Sequence, residues 1–174
     1  MGKLSRRQRE RRRHRRAVLE AAEAVFGAKG FHTATVQEVA EEAEFAVGTI
    51  YNMFESKADI YRNLVRMRAR EYLERVRTII AEESDPRQKI RTVMAAKVRF
   101  FERHQEFFRI FSRAAFGDGN GAFFAVSEDG RVLYREYLTM VRGLFEEGIE
   151  AGLFFPADPM ALALSMEGMT NSLV

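Results

Sequence analysis

Thr33-Ala34-Thr35-Val36-Gln37-Glu38-Val39-Ala40-Glu41-Glu42-Ala43-Glu44-Phe45-Ala46-Val47-Gly48-Thr49-Ile50-Tyr51-Asn52-Met53-Phe54-Glu55-Ser56-Lys57-Ala58-Asp59-Ile60-Tyr61-Arg62 carries a helix-start signal near each end. Thr35 followed by Glu38 is a capping box, a hydroxyl that accepts an orphan amide and a carboxylate that reaches back. Ser56 followed by Asp59 repeats the device. Between them Val36, Val39, Ala40 and Ala43 recur at helical spacing, a break falls at Glu44-Phe45-Ala46, and a second short helix is expected over 47–54. That second helix has Ile50 and Phe54, four apart, to bury. Its other face carries Val47, Gly48, Thr49, Tyr51 and Asn52, which are uncharged and mostly short. Two short helices joined by a tight turn, the second presenting small polar groups, read as a helix-turn-helix whose second helix enters a major groove.

Upstream, Val18, Ala22, Val25 and Phe26 mark a first helix that stops at Gly27 or Gly30. Residues 5–16 either extend this helix backwards, with Ser5 and Gln8 as a capping box, or form a disordered tail. Charge is concentrated here. Lys3, Arg6, Arg7, Arg9, Arg11, Arg12, Arg13, Arg15 and Arg16 face Glu10 alone within residues 1–16, a net +8, whereas the whole chain carries only +3. A basic arm on an acidic body is the footprint of a protein that meets a polyanion at one end. Only Leu4 and Ala17 offer apolar anchorage near the arm, which argues against a membrane surface as that polyanion. No apolar run is long enough for a bilayer span and no signal core follows the basic start, so a soluble cytoplasmic protein is expected.

Downstream, 57–83 reads as one long helix, with Ile60, Leu64 and Met67 as an early stripe and either Tyr72, Val76 and Ile79 or Leu73, Val76 and Ile80 as a later one. Asp85-Pro86 starts another helix, which carries Ile90, Met94, Val98 and Phe101 as far as His104-Gln105. A short helix over 106–116, rich in phenylalanine, precedes the loop Gly117-Asp118-Gly119-Asn120-Gly121. A long helix ending near Ala151 and a last one opened by Asp158-Pro159 complete an all-α chain. No chemistry for catalysis emerges. There is no cysteine, and His14, His32 and His104 lack metal-ligand spacing. The glycine loop lacks the ligands of a calcium site and the lysine of a phosphate-binding loop. Neither an enzyme nor a resident cofactor or metal is expected. The aromatic crowding after residue 100 would serve as core or as the lining of an apolar cavity.

Gly48-Thr49-Ile50-Tyr51-x-x-Phe54-x-Ser56-Lys57-x-x-Ile60, with Thr35-Val36-x-x-Val39-Ala40 and Ala28-Lys29-Gly30-Phe31 upstream, resembles the signature of TetR-type (tetracycline repressor family) transcriptional regulators. The resemblance implies an all-α chain with a helix-turn-helix DNA-binding head, 1–56, and a helical ligand-binding and dimerisation body, 57–174, that lacks a usual final helix. It implies Thr35, Tyr51 and Lys57 on phosphates and Val47, Gly48, Thr49 and Asn52 facing base edges. Arg12, Arg13 and Arg16 are the candidate DNA ligands of the arm. In the body, Phe101, Phe107, Phe111, Arg113, Phe116 and Tyr137 are the candidates for a small hydrophobic effector. The expected partners are an inverted-repeat operator in double-stranded DNA, that effector and a second copy of the chain, and the expected role is a repressor. The alternative is an arginine-rich RNA- or nucleoid-binding protein without sequence specificity. Two positions depart from the family pattern: Glu44 stands where a turn glycine is common, and Ala46 where a capping serine is common.

Overall fold

The computed structural model describes residues 5–105 and 128–171. Four of the predicted effector residues, Phe107, Phe111, Arg113 and Phe116, lie outside that range. The described residues form seven helices and no strand: α1 (Arg6–Lys29), α2 (Val36–Glu42), α3 (Val47–Tyr51), α4 (Lys57–Glu82), α5 (Pro86–Arg103), α6 (Glu128–Glu150) and α7 (Pro159–Asn171). The all-α fold expected from the sequence is the fold observed.

Local chemistry accounts for most of the boundaries. Ser5 caps α1 with both bonds of the capping box, Gln8 N–H to Ser5 Oγ at 3.2 Å and Ser5 N–H to Gln8 Oε1 at 2.9 Å. The arm is therefore helical and continuous with the first helix. Gly30, at φ 82°, takes up the left-handed turn that ends α1. Thr35 and Glu38 complete the same box at α2. At α4 the Asp59 N–H reaches Ser56 Oγ at 3.1 Å, but the returning carboxylate accepts from Glu55 N–H at 3.2 Å instead of from Ser56. Asp85 accepts from Arg87 N–H at 2.9 Å, with Pro86 opening α5. The helix expected to run to Phe54 stops at Tyr51. The amides of Met53 and Phe54 both turn back to Ile50 O at 2.9 Å, which tightens the chain into the turn before α4 while still burying Phe54.

The chain divides into two compact units, and α4 contributes to each: residues up to Arg66 belong to the first, and those from Met67 to the second. The first unit packs α1, α2 and α3 with the start of α4 around Val18, Ala22, Phe26, Val39, Ile50, Phe54, Ile60 and Leu64, all essentially inaccessible. Phe31 joins its edge, against Phe26 and Tyr61 at ring separations of 5.6 and 5.2 Å. Burial raises the Tyr61 hydroxyl to a pKa of about 12. The second unit packs the rest of α4 with α5, α6 and α7 around Leu73, Val76, Val93, Val141, Leu144 and Met166. Fully burying aliphatic side chains of this size stabilises each unit by about 1.5–3 kcal/mol apiece.

Candidate nucleic-acid interface

The turn between α2 and α3 is built despite its sequence. Glu44 adopts φ 58°, the left-handed conformation that glycine takes at no steric cost. Ala46 stands at the N-cap of α3 in an extended conformation and makes no side-chain cap bond. What holds α3 is burial: Ile50 and Phe54 anchor its inner side at 0% and 2% exposure. Its outer side is open, with Gly48, Tyr51 and Asn52 exposed and Val47 and Thr49 half-buried. All five predicted residues of this helix therefore lie on or beside one accessible surface.

Gly48 is the informative member. Its φ is not positive, and a Cβ built on it would meet nothing within 4 Å. Neither backbone strain nor internal packing requires glycine there, although glycine inside a helix costs about 0.5–1 kcal/mol relative to alanine. The backbone of this short helix is therefore open to the outside of the chain at Gly48.

Two of the three predicted phosphate ligands, Thr35 and Lys57, are already engaged within the head. Thr35 Oγ accepts Glu38 N–H at 3.2 Å and donates to Glu38 Oε2 at 3.0 Å. The Glu38 carboxyl is held near pKa 2, first by the hydrogen bond from Lys29 and then by those from Thr35. Lys57 donates to the carbonyls of Ala34 at 2.7 Å and His32 at 3.0 Å and sits 4.8 Å from the centre of the Phe31 ring. It fastens the loop before α2 to the start of α4, which leaves one of its three N–H donors for a phosphate. Tyr51, at 54% exposure, is the most open of the three. In the arm Arg12, Arg13 and Arg16 are exposed, and Arg16 pairs with Glu20 at 2.8 Å.

Arg15 is one of the nine cations of the arm by sequence, and the structure turns it inward. Its guanidinium donates to the Met53 carbonyl and, at 3.2 Å, to Asn63 Oδ1, and lies 4.3 Å from the centre of the Phe54 ring. Asn63 in turn donates to Asp59 O at 2.8 Å and Oδ1 at 2.9 Å. Arg15 thus ties α1 to the turn that follows α3. Its distance of three from Val18, one turn before the first core residue, was the only sequence signal for an inward-facing arginine.

In the second unit the two described effector candidates, Phe101 and Tyr137, are both buried. They are brought together around Lys97, whose Nζ lies 5.8 Å from the Phe101 ring centre and 6.0 Å from that of Tyr137. Lys97 forms a buried ion pair with Glu167 at 2.6 Å, joining α5 to α7. Burial lowers the Lys97 pKa against the opposing pull of Glu167. The Tyr72 and Tyr137 hydroxyls are buried nearby and make no hydrogen bond of good geometry among the described residues. Burial, with the Glu167 charge adding to it, raises both above the usual tyrosine range. This is a polar cluster within the second unit, which also buries Arg68, Lys89, His104 and Thr170. Among the described residues no group of three or more acidic, histidine or cysteine side chains is placed to hold a metal ion. No helix among them is long and apolar enough to cross a membrane.

A basic helical arm, a capped helix-turn-helix and a helical second unit define a DNA-binding regulator. Residues 18–64 match the profile of the bacterial regulatory proteins of the tetR family, and residues 83–174 match the tetracyclin repressor-like C-terminal domain. The chain belongs to the TetR family of transcriptional regulators, and it is not an enzyme. Among curated relatives it is 27% identical over 139 residues to the HTH-type transcriptional repressor KstR2 of Mycobacterium tuberculosis, covering 80% of this chain and 68% of that protein. It is 24% identical over 135 residues to the fatty acid metabolism regulator protein of Bacillus subtilis, covering 78% and 68%. Among solved structures, the transcriptional regulator FadR from Bacillus subtilis in complex with stearoyl-CoA matches with a TM-score of 0.75 at 21% identity, over 90% of this chain and 83% of that one. That likeness is one of fold.

Proposed function

We propose that the chain is a dimeric, effector-responsive repressor that grips an inverted-repeat operator through α3 and is released by a hydrophobic small molecule with an acyl-type body. Residues 1–56 serve as the DNA-binding head and 57–174 as the sensing and dimerisation body. The observation that carries the reading is Gly48: an unforced glycine on the accessible face of the second helix of a helix-turn-helix admits the edge of a base pair. Val47, Thr49 and Asn52 read base edges beside it, and Tyr51, Thr35 and the remaining donor of Lys57 meet phosphates. α6 and α7 supply the dimer surface, with Val132, Leu164 and Met169 each about half exposed, at 48%, 48% and 58%. Phe101, Tyr137 and the Lys97–Glu167 pair receive the effector, together with Phe107, Phe111, Arg113 and Phe116. An acyl-type effector is supported by the stearoyl-CoA in the FadR of the same fold and by the fatty acid metabolism regulator among the relatives. The repressor role is supported by the relation to KstR2. The effector acts by binding one state of the protein better than the other, and couplings of about 1–3 kcal/mol are typical.

Gly48→Ala tests the DNA reading. The head is expected to gain about 0.5–1 kcal/mol in stability. Binding to the preferred duplex should weaken by about 1–3 kcal/mol, as for a lost base contact. Unchanged affinity would take the α3 backbone out of the interface. For the effector, stearoyl-CoA titrated into the protein–DNA complex should release the duplex while coenzyme A alone does not. Equal release by both would assign the effect to the nucleotide instead of the chain.

A further inference from the structure

The arm is a phased helix, and its two sides are not equivalent. At about 100° per residue, Arg7, Arg11 and His14 fall within about 60° of one another, whereas Arg6, Arg9, Arg13 and Arg16 lie within about 80° on the opposite side. The phase is fixed at both ends of the arm: the complete capping box at Ser5 sets its start. At the other end Arg15 is bonded to the Met53 carbonyl and Asn63, and the His14 ring lies 5.2 Å from that of Phe45. Ser5, Arg7, Gln8, Glu10, Arg11 and His14 consequently form one wall of an open groove. Thr49, Asn52 and Met53, at the end of the recognition helix, form the other.

We infer that this groove seats one sugar-phosphate strand of the duplex, with Arg7 and Arg11 on consecutive or near-consecutive phosphates and Gln8 as a neutral donor beside them. The inference rests on the reading of α3 as the recognition helix. A major groove about 12 Å wide is filled by a helix of about 10–12 Å diameter, so whatever stands alongside that helix meets the bounding backbone strand. The wall facing α3 carries two arginines, which match a polyanion, and Glu10 at its edge confines the strand to the Arg7–Arg11 side. The arginines of the opposite side, Arg6, Arg9, Arg13 and Arg16, together with Arg12 between the two sides, do not line the groove and contribute through the general field of the arm alone. Of the nine cations of residues 1–16, the geometry thus selects Arg7 and Arg11 as the DNA ligands.

Two double variants of the full chain remove the same charge from opposite sides: Arg7→Ala/Arg11→Ala and Arg6→Ala/Arg9→Ala. Alanine preserves the arm's helical propensity, and circular dichroism verifies that both variants retain the wild-type helix content. Affinity for a fixed duplex is then measured across a salt series. The Arg7/Arg11 variant should flatten the slope of log K against log salt by about 1.8 per subunit, two phosphates at about 0.9 each, while the Arg6/Arg9 variant changes it by less than half as much. Equal flattening by the two variants would overturn the proposal and make the arm an undirected polycation. Failure of the wild-type protein to bind duplex at all would instead refute the underlying reading of α3.

Discussion

Glu44 holds φ at 58°, a backbone conformation that costs an L-residue about 1–2 kcal/mol. Glycine would relieve that cost and give back part of it as unfolded-chain entropy. Glu44→Gly should therefore stabilise the head by roughly 0.5–1 kcal/mol in urea denaturation. Ala46→Ser should add a comparable increment of about 1 kcal/mol by capping a helix that has no side-chain cap. Either variant losing stability would show that the turn departs from the geometry described. Glu38 makes a pH prediction. Its carboxyl pKa is about 2 in the folded head, below its unfolded value. The stability it contributes is thus complete above about pH 4.3 and lost as the pH falls towards 2. Glu38→Gln should flatten the acid limb of the head's unfolding in that window and leave it unchanged near neutrality apart from a constant offset. An acid limb identical to wild type would dissociate Glu38 from the transition.

Among the elements, α5 and α7 are joined by the one pair whose removal should be most instructive. Lys97 and Glu167 have side chains 6% and 10% exposed. Removing one partner from such a pair typically costs about 3–5 kcal/mol, whereas replacing both with apolar residues is often neutral or stabilising. Lys97→Met should strongly destabilise the second unit in denaturant, and Lys97→Met/Glu167→Leu should recover most of the loss. A single variant costing less than about 1 kcal/mol, the range of exposed pairs, would mean that the pair is solvated. Elements themselves were legible in the sequence because their signals are local. Thr35-x-x-Glu38, Asp85-Pro86 and Gly30 announce starts and stops through atoms a few residues away, and the apolar spacing in α1 and the first half of α4 marks their buried faces. In α5 the stripe Ile90, Met94 and Val98 is only half-buried, and the buried face runs through Lys89, Val93, Ala96 and Lys97 to Phe101. The partner of a charge is a tertiary fact and was not legible. Nothing in the sequence near Lys97 indicates a carboxylate 70 residues on, and Lys57 reads as a free phosphate ligand until its two carbonyl acceptors are seen. Arg15 reads as one more cation of the arm for the same reason, and the composition of the arm suits a helix and a tail equally.

For the whole molecule, charge and fold together set what binding should look like. Residues 1–16 carry a net +8 on a chain whose total is +3, so attraction to DNA is directed to the head and weakened by salt. In the proposed dimer the half-exposed apolar residues of α6 and α7 meet the second copy, and a symmetric dimer imposes its two-fold axis on the site it reads. Selection of bound duplexes from a randomised pool by the full-length chain, at a salt concentration that suppresses non-specific binding, tests this most directly. The expected product is an inverted repeat with half-site centres about 34–36 Å apart or a modest multiple of that spacing. Enrichment lost on Asn52→Ala and retained on Arg6→Ala would locate the reading in α3. A pool that returns no common sequence, or a single half-site without its inverted partner, would contradict a dimeric regulator that reads DNA through that helix.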